Sequence, residues 1–120
     1  MQVNNVNSTN FKAVKYRYHS VVETWYNVRI KQNGSRAISK VSNIIKQQQN
    51  NPFHIILDYA GNDKSVKEFV RVNGKEFVKR RFESIEKLLK RAASYSDKLN
   101  KSSKEKPLEL DGLKDFNIKV

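Results

Sequence analysis

Apolar and polar positions alternate most cleanly between Val21 and Lys31. Val22, Thr24, Tyr26, Val28 and Ile30 fall on one side, and Glu23, Trp25, Asn27, Arg29 and Lys31 on the other. A weaker alternation over Phe11–His19 sets Val14, Tyr16 and Tyr18 against Lys15 and Arg17. Period two in segments rich in β-branched and aromatic residues predicts two half-buried strands, paired through His19 and Ser20. Asn33-Gly34 stops the second strand, and Ser35 is placed to cap a helix. From Arg36 to Gln49 the period changes. Ala37, Val41, Ile44, Ile45 and Gln48 recur at helical spacing, and the polar run Gln47–Asn51 with Pro52 ends the helix. Phe53–Tyr59 reads as a short buried strand closed by a turn at Ala60-Gly61-Asn62-Asp63.

Farther on, Lys67–Val72 and Lys75–Lys79 flank Asn73-Gly74, the strongest short hairpin signal, because both turn residues tolerate positive φ. A second helical stripe comes next in Phe82, Ile85, Leu88, Leu89, Ala92, Ala93 and Leu99. Glu83 precedes Lys87, and Glu86 precedes Lys90, by the favourable four residues. Residues 100–107 read as a solvated linker, Asp111-Gly112 as a turn, and Phe116, Ile118 and Val120 as a last edge strand. The expected order is β-β-α-β-β-β-α with an optional final β. Both helices are amphipathic and need a sheet to cover, so the expected class is α+β, a mainly antiparallel sheet with two helices on one face. The expected division is a flexible leader over 1–10, a single α+β domain over 11–99, and a linker and C-terminal tail, with the optional edge strand, over 100–120.

Charge changes the picture more than length does. The 120 residues carry 24 Lys and Arg against 12 Asp and Glu, a net charge of +12. Residues 1–57 hold eight cations and a single acid, Glu23, so that half cannot neutralise itself by salt bridges. Such a field draws phosphate polymers and anionic surfaces. The absence of Cys excludes a disulfide framework and a thiolate metal site. No apolar run is long enough to cross a bilayer. Met1–Asn10 lacks the basic start and apolar core of a secretory signal, so the chain is expected in the cytoplasm.

Three basic constellations stand out. Lys15, Arg17, Trp25, Arg29 and Lys31 share the outward face of the expected opening strands. There a base stacks on the ring while phosphates meet the cations; against this, a lone Trp is commonly packed in a core. Lys75, Lys79, Arg80 and Arg81 lead into Lys87, Lys90 and Arg91 at a helix start. Cations there oppose the helix dipole, and an anion would relieve the conflict. Arg36, Lys40, Asn43 and Gln47 line one face of the first helix, suited to phosphates but equally to solvent.

Catalysis has little to stand on. His54 lies in an apolar strand. His19, near Tyr16, Arg17 and Tyr18, is the one residue on which a small ribonuclease could be built. Asp58 and Asp63 make no metal motif, and neither a cofactor nor a metal is expected. The leading expectation is a small, non-catalytic nucleic-acid-binding protein that holds mainly phosphate backbone, with RNA or single-stranded DNA favoured. The alternative is an interaction protein, such as a phage- or plasmid-encoded inhibitor or a bacterial effector exported without a cleaved signal, that meets an acidic protein or anionic membrane. The ribonuclease stands third.

Overall fold

The computed structural model describes residues 13–17, 21–62, 65–102, 104–108, 110 and 112–118. The leader Met1–Asn10, Tyr18, the turn at His19–Ser20, Asp63, Asp111 and Val120 lie outside the described residues. The chain runs β1 (Val14–Arg17), α1 (Val22–Gln32), α2 (Ser35–Gln48), β2 (Ile55–Asn62), β3 (Ser65–Val72), β4 (Lys75–Val78), α3 (Ile85–Ser102) and β5 (Leu113–Asp115). The α+β class holds, with two corrections. The segment expected as the second strand is a helix, which makes three helices instead of two among the described residues, and the sheet is mixed. Its strand order is β4-β3-β2-β1-β5, with β1 parallel to β2 and the other neighbours antiparallel.

The helix in place of a strand has a simple cause. Val22, Tyr26 and Ile30 are four apart, so they satisfy a period of two and a period of 3.6 equally well. Only Thr24 and Val28 separate the two patterns. Both are exposed, while Val22, Tyr26, Asn27 and Ile30 are buried on a helical stripe. Topology points the same way. Parallel strands need a crossover connection, and the helical pair α1–α2 supplies it between β1 and β2.

Alternate strand residues Val14, Tyr16, Ile55, Leu57, Val70 and Val72 join Tyr26, Ile30, Val41, Leu88 and Leu89 in one buried cluster. The helices therefore share one face of the sheet. Strand alternation and register send Lys15, Arg17, Asp58, Phe69 and Arg71 to the opposite face. Opposite charges meet there: Lys15 pairs with Asp115 at 2.6 Å, Arg17 with Asp58 at 3.8 Å and Arg71 with Glu76 at 3.1 Å.

The other elements sit close to expectation. Asn73 (φ 50°) and Gly74 (φ 89°) form the tight turn of the β3–β4 hairpin. The Asn73 side chain also accepts from the Leu108 N–H at 2.9 Å and donates to the Lys106 carbonyl at 3.3 Å, so the stretch after α3 is tethered to the turn. Gly34 at φ 95°, not Ser35, occupies the cap of α2. Gln48, read from its spacing as part of the apolar stripe, is buried, and its amide donates to Asp97 of α3 at 3.1 Å. The last strand lies three residues before the expected one, antiparallel to β1, and Phe116 drops from it into the core against Tyr26. Burial pushes the Tyr26 phenol far above its ordinary range, so it stays neutral and donates to the Asp58 and Phe69 carbonyls.

This packing makes two testable demands. Gly61 holds φ 116° in β2, and a Cβ there would collide with the Ser65 carbonyl. Gly61→Ala should cost at least about 2 kcal/mol in urea unfolding; a change under a few tenths would contradict this hairpin geometry. His54 is half buried, and its Nδ1 has no hydrogen-bond partner among the described residues. Burial, and then the nearby Lys15 charge, lower its pKa below the ordinary 6.5, with Asp115 opposing. The unfolded chain therefore takes up this proton at a higher pH than the folded one. The His54 contribution is complete above about pH 6.5 and is lost as pH falls toward the folded value. Melting temperature should decline between about pH 7 and pH 5, and less steeply in His54→Gln; parallel profiles would refute the assignment.

Candidate nucleic-acid interface

Glu68 organises the end of the domain where the chain leaves β4 for α3. It is 4% exposed, in the first half of β3. Its carboxylate accepts the Trp25 indole N–H at 2.9 Å and lies 3.2 Å from Arg29 Nε. Its backbone carbonyl accepts the Lys79 N–H at 2.9 Å. One residue thus brings together α1, β3 and the segment leaving β4. Trp25 stands on a helix, not on an outward strand face, and its ring packs against Tyr59 at 5.7 Å between centroids.

From this point α1 runs on to its end, where the Asn33 and Gly34 N–H groups bond back to Ile30 and Lys31. The tight turn starts α2 at the same end of the domain. At its far end, α2 meets α3 through Gln48 and Asp97. Because α3 starts just beyond Lys79, α2 and α3 run in the same sense, and both N-termini face the Glu68 end. This topology collects Lys31, Arg36 and Lys40 from one segment with Lys79, Arg80, Arg81 and Lys87 from another. Lys31, Arg36, Lys40, Arg80, Arg81 and Lys87 are all exposed and make no ion pair among the described residues.

The segment between β4 and α3 is held in shape. Glu83 accepts the Arg80 N–H at 3.0 Å, and its two oxygens take Arg91 at 2.6 and 2.7 Å. Arg91 donates again to the Val78 carbonyl at 2.8 Å, and the Glu83 N–H returns to the Arg80 carbonyl at 3.1 Å. The paired guanidinium holds the Glu83 carboxyl below its usual range and raises Arg91. Ser84 Oγ accepts the Lys87 N–H at 3.2 Å, capping α3. Glu83 therefore serves Arg91 and not Lys87, the partner its spacing implied. The expected Glu86–Lys90 pair is present at 3.8 Å.

Not every candidate reaches this end. Lys15 and Arg17 lie on the opposite sheet face with acidic partners. Trp25, Arg29 and Arg91 are half-buried, engaged with Glu68 or Glu83. Lys75 lies beside the hairpin turn, its ammonium 4.7 Å from the Tyr95 ring centroid. Sequence reasoning missed Glu68, whose acidity in an apolar strand was the available signal. It also placed Phe82 in the core stripe, although Phe82 is 91% exposed. Among the described residues no cluster of His, Asp and Glu could hold a metal ion. No helix of the described residues is long and apolar enough to cross a membrane.

Removing the Glu68 carboxylate would leave the Trp25 N–H without its acceptor and the Arg29 charge without its ion pair. Glu68→Ala should cost about 1–3 kcal/mol in denaturant unfolding and red-shift the Trp25 emission. Unchanged emission and stability would show that this contact holds nothing in place.

No protein-family model, curated protein or solved structure matches the chain.

Proposed function

We propose that the protein is a non-catalytic nucleic-acid-binding protein that holds phosphates at the end of the domain where α2 and α3 begin. The observation that carries this reading is that Lys31, Arg36 and Lys40 around the start of α2, and Arg80, Arg81 and Lys87 around the start of α3, are six exposed cations without ion pairs among the described residues. The positive ends of two helix dipoles point the same way and raise the local potential further. Cations gathered there repel one another and the dipoles, and a row of phosphates removes both conflicts. Contacts of this kind fix position on a polymer without reading its sequence. Arg17 and Lys15 fit the role less well because Asp58 and Asp115 offset them.

The test is electrostatic. Binding to RNA or DNA oligonucleotides should weaken linearly on a log–log salt plot. The quadruple variant Arg36→Gln, Lys40→Gln, Arg80→Gln, Arg81→Gln should keep the melting temperature and flatten the slope by roughly 0.7–0.9 for each phosphate it no longer neutralises. Absence of binding at low salt would remove the proposal. So would selective capture of one acidic protein at moderate salt with no nucleic acid retained.

A further inference from the structure

A fully exposed Phe is costly to present to water, and here it stands within the most basic stretch of the chain. Phe82 is 91% exposed, whereas the other exposed large apolar side chains among the described residues lie between 46% and 53%. It shares the tip of the β4–α3 connection with Arg81, whose guanidinium carbon stands over the Phe82 ring 5.4 Å from its centroid. The tip is not a loose loop. The Glu83 carboxylate ties it to Arg91 and to the Arg80 N–H, and Arg91 ties it to the end of β4. The base of this loop is fixed by a half-buried, two-pronged ion pair, while its apex projects a ring and two guanidinium groups.

A ring that made up part of the core would be buried, and a solvated turn has no need of one. We infer that Arg80, Arg81 and Phe82 form a finger for an unpaired base: Phe82 stacks on the base, while Arg80, Arg81 and Lys87 hold the phosphates on either side. The Arg81 guanidinium stands beside one face of an otherwise open ring, so a base on the other face would complete a cation–ring–base stack. Charge complementarity selects the occupant, since an apolar protein surface would have to bury those cations unpaired. This inference rests on the nucleic-acid reading above and narrows it to strands with accessible bases, meaning single-stranded segments, bulges or frayed ends. Stacking is indifferent to base identity, so the finger carries no sequence preference.

The experiment compares full-length wild type, Phe82→Ala, Phe82→Tyr and Arg80→Gln/Arg81→Gln by fluorescence anisotropy. The probes are a single-stranded RNA, a blunt fully paired duplex of equal length, and phosphatidylserine vesicles. Phe82→Ala should bind the single strand about 5- to 100-fold more weakly with the salt slope unchanged, and bind the duplex as wild type does. Phe82→Tyr should restore affinity, and the arginine variant should weaken both nucleic acids and flatten both slopes. Melting temperatures should be alike for wild type and both Phe82 variants. Equal losses on single strand and duplex, or none on either, would overturn the finger while leaving phosphate binding intact. Loss confined to vesicles would overturn it in favour of membrane insertion. Failure of wild type to bind either nucleic acid would overturn both readings.

Discussion

The buried carboxylate of Glu68 is the point on which the rest of the arrangement depends. A carboxylate at 4% exposure would be strongly disfavoured without partners, and it has an indole N–H and a guanidinium, while the backbone carbonyl of the same residue holds the segment leaving β4. These contacts reach two separate stretches of chain, α1 and the exit of β4. Satisfying one residue therefore fixes the height of α1 over the sheet and the point at which α3 departs. Because α2 begins after a single tight turn from α1, its starting point is determined by the same contact.

That constraint also shapes the electrostatics. With half as many acids as bases, each ion pair decides which cations remain uncompensated. Glu68 and Glu83 are engaged by Arg29 and Arg91, half-buried groups that serve architecture. Asp58, Asp115 and Glu76 offset cations of the open sheet face. These acids are drawn into the interior seams and across the sheet, and the cations where α2 and α3 begin are left without ion pairs among the described residues. Part of the net charge of +12 stands at the starts of α2 and α3, where Arg36, Lys40 and the consecutive Lys79, Arg80 and Arg81 have no ion pair among the described residues.

Shape and rigidity add to charge at this end. The Glu83–Arg91 pair and the Ser84 cap hold the start of α3 without covering it, so cations and an exposed ring stand on a fixed base. Less conformational freedom is lost when such a surface meets a ligand than when a mobile loop must be ordered. The role of Arg91 shows how an interface that looks uniformly basic divides into groups that bind and groups that position.

Much was legible in the chain itself. The Asn73-Gly74 hairpin, the stripes of α2 and α3, and the α+β class arise from local rules: turn residues that tolerate positive φ, and apolar spacing that only one element satisfies. Local rules were silent where two periods coincide. Val22, Tyr26 and Ile30 fit a strand and a helix alike, and only packing against the parallel pair β1–β2 selected the helix. That one choice moved Trp25 from an expected stacking platform to a half-buried place on Glu68, and left Lys31 beside the start of α2. Which cations are free was likewise decided in three dimensions. Ion pairing and side-chain hydrogen bonding depend on distances across 43 and 8 residues of sequence, as between Trp25 and Glu68 and between Glu83 and Arg91. The sequence by itself determined that this protein carries a strong positive charge on an α+β frame. Its tertiary structure decided where that charge emerges, because buried carboxylates choose their partners by proximity in space, which local periodicity does not encode.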